Sequence, residues 1–337
     1  MAAALSGRGS THIFRPPPIR ADTFPMTDPL RAGVVGAGVF GGHHARKYAS
    51  LPGVRLAAVL DPHEERSEAL AGPLGGKIFD ELEPFLEAVD VVTVAAPARA
   101  HARVAQAALE RGKHVYVEKP LADDLADARR LVHTARDSDL VLACGHQERA
   151  IFRAIGLLDL PERPLRLESV RRGTPSDRNL DVSCVLDLMV HDIDLALALN
   201  PDPVAAVTAV GSRHAHGFAD EARAELVFEG GMTAQLHASR AAERRERHMR
   251  LVFASGEVEI DFLTHRFRDT TGFGLDAAFA STSDGRDPLG ASVAAFVAAV
   301  RGEAARPLVT GEEAARALEV ALEVDRAAGR RRAIGLV

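Results

Sequence analysis

The 337-residue chain has no tryptophan, only two tyrosines and two cysteines, and only four lysines. So few aromatics leave no stacking platform for single-stranded nucleic acid. A net charge of −6 gives no broad basic footprint for a duplex. Cys144 and Cys184 form no CxxC pair and no disulfide framework, as expected of a protein in a reducing cytoplasm. No apolar run approaches the roughly 18 residues of a membrane-spanning helix, so neither a membrane nor a nucleic acid is an expected partner. Residues 1–27 lack the continuous apolar stretch of a secretory signal and carry Pro16, Pro17 and Pro18 in a row. They are expected to form a disordered extension outside the fold. What is present is ordinary for a globular chain of about two domains: 47% hydrophobic and 26% charged residues. Against 37 arginines, the lysines Lys47, Lys77, Lys113 and Lys119 stand out. Where arginine serves for generic positive charge, a retained lysine has a raised chance of being needed as an amine.

From Leu30 onward, short apolar runs at 31–35, 55–60, 89–96, 114–117 and 140–144 alternate with helical patterns such as 98–112. That alternation predicts βαβ units and a doubly wound parallel sheet over residues 28–150. Residues 151–337 read differently. Strand-like runs at 164–172, 204–211, 221–240, 248–254 and 256–262 surround an apolar helix at 183–199, with Glu229-Gly230-Gly231 as a hairpin turn. The expectation is an α+β domain on an open antiparallel sheet. Its last helices, near 287–301 and 310–328, are free to pack back on the first domain.

After the first strand comes Gly36-Ala37-Gly38-Val39-Phe40-Gly41, a GxGxxG match, and Asp61 follows at the end of the second strand. The first glycine permits a tight turn, the second lets backbone approach a pyrophosphate, and the third lets helix pack on strand. Asp61 is placed to accept from an adenosine ribose and to repel a 2′-phosphate, which favours NAD over NADP. Arg66 stands close enough to blur that preference. The predicted fold of this half is a Rossmann domain, with Gly36, Gly38, Val39, Phe40, Gly41, Asp61 and Arg66 at the cofactor.

Val117-Glu118-Lys119-Pro120 ends the strand at 114–117, where parallel sheets bind ligands, and Pro120 is the plausible place for a cis peptide. The helix at 183–199 is apolar nearly all round, yet contains Asp187, His191, Asp192 and Asp194. Positions 187, 191 and 194 share one face, and ionisable groups in a buried helix need partners or a polar cavity. A carboxylate orienting a histidine makes a general base at neutral pH. His214-Ala-His216 has ligand spacing, but no acid or cysteine cluster accompanies it, and no metal is expected.

Together the glycine loop, AAPARAH at 95–101, GKHVYVEKPLA at 112–122 and DLMVHDID at 187–194 resemble the glucose–fructose oxidoreductase/inositol dehydrogenase/rhizopine-catabolism (Gfo/Idh/MocA) family, from Leu30 to the C-terminus. The resemblance implies an NAD-dependent dehydrogenase acting on a CH–OH group of a sugar ring, in an oligomer (dimer or tetramer). It makes Lys119, Asp187 and His191 the catalytic trio and places Pro97, His101, Glu118 and Lys119 beside the cofactor. Ala98 and Ala150 depart from the usual pattern. The helix sequence and ASRAAERRERHMR (238–250) are most similar to the branch containing UDP-N-acetylglucosamine 3-dehydrogenases. Inositol or free-sugar dehydrogenases are the alternative, and a non-catalytic NAD-binding protein the rival of another class. A pyrophosphate-bearing substrate needs cations, which suit Arg149, Arg172 and Arg178, with Arg171 on the same segment before the helix and Arg240 and Arg247 also in the second domain. Asp187 and His191 are expected to touch substrate as well.

Overall fold

Burial is nearly complete along the apolar runs of the first half, where Val91–Val94 and Val115–Val117 expose almost nothing to solvent. Strands buried on both faces belong to a parallel sheet covered by helices. The computed structural model describes residues 28–176, 182–212 and 218–329. The expected extension 1–27, Arg178, His214 and His216 lie outside the described residues.

Six strands, β1 (Leu30–Val35), β2 (Val54–Leu60), β3 (Lys77–Phe79), β4 (Val91–Val94), β5 (His114–Val117) and β6 (Leu142–Cys144), pair in the order β3-β2-β1-β4-β5-β6. Every pairing is parallel. The strand order reverses between β1 and β4, and the crevice at the carboxyl ends there is where such sheets take ligands.

The second sheet has seven strands: β7 (Arg166–Arg172), β8 (Val204–Ser212), β9 (Glu221–Phe228), β10 (Thr233–Ser239), β11 (Glu246–Val252), β12 (Glu257–Asp261) and β13 (Phe267–Asp269). Their order is β13-β12-β11-β7-β10-β9-β8. It is antiparallel except at its centre, where β10 runs parallel to β7. The expected all-antiparallel sheet therefore holds for every neighbour but this one. The strand β7 enters from the first domain, and the chain crosses the helix at 190–199 before returning beside it.

Pro288–Val300 lays Leu289, Val293, Phe296 and Val297 into the cluster that includes Val34 and Tyr116 of the first sheet and Tyr48 of the helix Val39–Ser50. The Tyr116 hydroxyl meets Ser292 Oγ at 2.9 Å inside that contact, which satisfies a polar group that would otherwise be buried at a cost. No helix among the described residues is long and apolar enough to cross a membrane.

Candidate active site

The glycine loop has the shape that its spacing predicts. Gly36 has φ +99°, and a Cβ there would lie 2.6 Å from Ala95 O. A Cβ on Gly41 would collide with Gly36 O, so these two glycines let loop, strand and helix touch. At Gly38 a Cβ would meet nothing within 4 Å, so this glycine leaves open space beside the loop. Gly38 also caps the helix Val39–Ser50 without any side-chain bond, and no acid sits in the first turn. The orphan N–H groups and positive helix end thus face that space, as a pyrophosphate requires. Val39 and Phe40 are exposed there. Asp61 Oδ2 accepts from Ala37 N at 2.7 Å and Oδ1 from His63 N at 2.9 Å. These bonds fix the half-buried carboxylate at the end of β2 and leave lone pairs for ribose hydroxyls. Arg66 is exposed on the following helix. The donors and the space fit a dinucleotide.

One expected result follows from Asp61. NAD should bind more tightly than NADP, and Asp61→Ala should narrow the gap about tenfold, because like charges brought together cost several kcal/mol. Titrating both cofactors by fluorescence checks this; equal wild-type affinities would contradict it.

Pro97 caps the helix after β4 and is exposed. His101, one turn on, is buried, with Nδ1 2.7 Å from Pro120 O and Nε2 2.8 Å from Ala96 O. It stitches the ends of β4 and β5 together, and burial pushes its imidazole below the usual value. The Lys119-Pro120 bond is cis, as expected. Glu118 is buried, and its Oε1 lies 2.7 Å from Nε2 of His44, on the helix that follows the glycine loop. Burial pushes Glu118 up, but the His44 bond and charge, with Lys119 and His101, more than offset it and leave the carboxyl below its usual range.

Lys119 Nζ donates to Asp187 O at 2.6 Å and to Asp187 Oδ1 at 2.9 Å. Asp187 lies in a π-helical turn, Val185–Met189, that opens into the helix Val190–Leu199. Such turns recur at functional sites. The extra residue in the turn breaks the expected stripe. Asp187 reaches Lys119, whereas Asp194 is buried in a two-point pair with Arg149, at 2.7 and 2.9 Å.

His191 faces a partner that the motif did not name. Its Nδ1 lies 2.8 Å from Oε2 of Glu148, a close contact off the straight hydrogen-bond axis. Glu148 Oε1 accepts from Arg171 at 2.8 Å, and Arg171 also grips Asp192 through Nε at 3.0 Å and Nη2 at 2.9 Å. Burial pushes Glu148 up, but His191 and Arg171, helped by Arg247, hold its carboxyl well below the usual range. A buried arginine is tolerated only when fully paired, so Arg171 and Asp192 form the fixed base of the chain Asp192–Arg171–Glu148–His191. The sequence reading gave the task of orienting His191 to Asp187; the carboxylate found against Nδ1 is that of Glu148.

His146 completes this wall. Its ring stands edge-on to His191, with centroids 5.8 Å apart, and its buried Nδ1 has no hydrogen-bond partner among the described residues. Burial pushes its pKa down to about 4. In the unfolded chain the imidazole returns to its ordinary 6.5, so between these values the unfolded state binds more protons. His146 therefore withdraws stability as pH falls below 6.5, by about 2 kcal/mol near pH 5. Urea unfolding at pH 7 and pH 5 should show that loss, and His146→Phe should show a smaller one. An equal loss in the variant would contradict the assignment.

The arginines expected at the substrate are sorted by their partners. Arg149 is buried on Asp194 and reaches Glu313 at 3.4 Å, so its fork is taken by the protein. Along β7 burial alternates, with Leu167, Ser169 and Arg171 inward and Glu168, Val170 and Arg172 half-exposed. Arg172 thus lies on the sheet face opposite Arg171, near His237 and Glu246. A position close in sequence to the helix that carries His191 does not bring it to that histidine, because neighbouring strand residues point apart.

The first-domain residues gathered so far follow carboxyl ends of parallel strands: the glycine loop after β1, Asp61 after β2, Pro97 after β4, Lys119 after β5, and His146 and Glu148 after β6. Residues 30–146 match the oxidoreductase family with the NAD-binding Rossmann fold, and residues 165–259 match the Gfo/Idh/MocA C-terminal domain. The chain belongs to the Gfo/Idh/MocA oxidoreductase family. It is 35% identical over 238 residues to a UDP-N-acetylglucosamine 3-dehydrogenase of Acidithiobacillus ferrooxidans, covering 70% of this chain and 75% of that one. A solved structure of that enzyme superposes with TM-score 0.80 at 31% identity, covering 88% of this chain and 97% of the other. An inositol 2-dehydrogenase of Streptomyces avermitilis is 35% identical over 199 residues, 56% of this chain and 58% of that one. The scyllo-inositol dehydrogenase of Lactobacillus casei, solved with NAD(H) and scyllo-inositol, shares the fold at 19% identity, with TM-score 0.74 over 89% of this chain and 97% of that one. Members of the Gfo/Idh/MocA family with this first domain bind NAD, and the open cradle at Gly38 suits it.

Proposed function

We propose that the protein is an NAD-dependent dehydrogenase that oxidises a secondary alcohol of a nucleotide sugar, with the 3-hydroxyl of UDP-N-acetylglucosamine as its target. The observation that carries the reading is a lysine anchored on Asp187 and a carboxylate-backed His191 on one short stretch of helix, beside a dinucleotide cradle. When bound, NAD supplies the acceptor for the hydride that leaves the alcohol carbon. His191 takes the hydroxyl proton. Lys119 donates to the same oxygen and stabilises its developing negative charge. Asp187 holds the lysine, and Glu148 orients the imidazole and stabilises it once charged. A purely NAD-binding protein has no use for a lysine and a proton acceptor at this place.

The substrate choice is supported by the Acidithiobacillus relative, which matches over more of both chains than the Streptomyces inositol dehydrogenase does. The inositol relatives favour the second reading, oxidation of inositol or a free sugar. Within this reading the chain divides at about residue 150 into a cofactor domain (28–150) and a substrate and oligomerisation domain (151–337). The enzyme works in the cytoplasm, where the buried thiols of Cys144 and Cys184 stay reduced. It forms a homo-oligomer through the half-exposed outer face of the second sheet, which carries Val170, Val210 and Arg172. Initial rates with NAD and a set of UDP-sugars, free hexoses and inositols test the substrate. Faster turnover of inositol or glucose than of every UDP-sugar overturns it.

A further inference from the structure

Of the six arginines weighed for the substrate, four are accounted for by the structure. Arg149 is held by Asp194 and Glu313, and Arg171 by Asp192 and Glu148. Arg240 donates to Asp220 at 2.5 Å and to Val182 O at 2.8 Å. Arg172 faces the other side of the sheet, and Arg178 lies outside the described residues. Arg247 is different. It sits on β11 directly across from Arg171 on β7, and in the alternation of β11 it shares the inward face with Met249 and Leu251. Its guanidinium makes no hydrogen bond and no ion pair with any described residue, though it is half-buried and within electrostatic reach of Glu148 and Asp192. Burial and the neighbouring charges of Arg171 and Arg245 make this unpaired cation costly. Glu148, the nearest acid of the network, is already shared between Arg171 and His191.

We infer that Arg247 is a specificity-determining residue that binds an oxyanion carried by the substrate, next to the hydroxyl being oxidised. The inference rests on the reading of His191 as the reacting site. A half-buried arginine without a partner is stable when a ligand anion completes it, and its planar fork suits phosphate or carboxylate oxygens. The oxyanion has two possible sources. It is the diphosphate if the substrate is a nucleotide sugar, and the carboxylate if it is a sugar acid. A neutral inositol would leave Arg247 unpaired. The nucleotide-sugar reading predicts the diphosphate.

The test titrates UDP and, separately, glucuronate into the enzyme–NADH complex by calorimetry, for wild type, Arg247→Gln and Arg247→Lys. UDP binding should weaken about ten- to hundredfold in Arg247→Gln, and by less in Arg247→Lys, which keeps the charge but loses the fork. NADH affinity, measured by fluorescence, reports whether each variant is folded. With UDP-N-acetylglucosamine as substrate, KM should rise by more than kcat falls. If glucuronate binding responds to the substitution and UDP binding does not, the oxyanion site stands and the nucleotide-sugar reading fails. If wild type oxidises a UDP-sugar but Arg247→Gln leaves its KM and UDP binding unchanged, the inference fails and the nucleotide-sugar reading stands. Wild type that binds neither anion overturns the inference.

Discussion

Lys119→Met should lower kcat by about a hundredfold or more, and His191→Asn by a similar factor, the scale of one oxyanion donor or one positioned proton acceptor. In the proposed reaction each side chain holds a charge or a proton on the reacting oxygen in the transition state, so the loss should fall on kcat more than on KM. The two substitutions should differ in their effect on the cofactor. Lys119 follows β5 beside Glu118 and Pro120, the segment tied through His44 and His101 to the glycine-loop helix and to the end of β4. The proposed reaction puts His191 on the substrate side. NAD affinity should therefore weaken for Lys119→Met and stay close to wild type for His191→Asn. Steady-state rates with stopped-flow NAD binding measure both effects. Near-normal turnover in His191→Asn would remove it as the proton acceptor.

Glu148→Gln should also cost about a hundredfold in kcat. Its carboxylate touches both His191 and Arg171, and no other acid among the described residues contacts that imidazole nitrogen. Glutamine keeps the size and one acceptor for Arg171 but removes the charge that supports His191 after it takes the proton. Glu148→Asp should recover part of the loss, since it restores the charge on a shorter arm. A purely structural role predicts something else: loss of folded protein, with normal turnover in the fraction that folds. Unfolding midpoints beside kcat separate the two outcomes. Removing one partner of the buried Arg171 pair costs about 3–5 kcal/mol when the remaining charge is left uncompensated. Here Asp192 still holds Arg171 by two bonds, and the cost in stability should be correspondingly smaller.

What the sequence showed and what it hid follow a common physical rule. The glycine loop, Asp61 and Lys119 were legible because their chemistry depends on position at a strand end, and strands announce themselves by apolar runs. The same signal pointed to His146 and Glu148, which follow the apolar run at 140–144 as Lys119 follows the run at 114–117. They were passed over because GHQER has no periodicity of its own. The stripe Asp187, His191, Asp194 presumes one regular 3.6-residue period, while Asp187 lies in the π turn Val185–Met189 and pairs with Lys119, and Asp194, in the regular helix that follows, pairs with Arg149. Arg172 was misplaced although strand parity could have excluded it. Arg171 and Arg172 are adjacent on β7 and must point to opposite faces, and the alternating Leu167, Ser169 pattern shows which face is buried. The parallel pairing of β10 with β7 had no local signature. Pairing direction is set by the path of the chain between strands, and a strand sequence carries none of that.

The chemistry itself is tested most directly by the product. The enzyme is incubated with NAD and UDP-N-acetylglucosamine, and the nucleotide sugar is recovered and analysed by mass spectrometry and NMR. The proposed reaction yields a UDP-sugar lighter by one hydrogen molecule, with a ketone carbon at position 3 of the ring, formed by wild type and absent with His191→Asn. Recovery of unchanged UDP-N-acetylglucosamine, with an inositol or free hexose converted to its ketone under the same conditions, would contradict it.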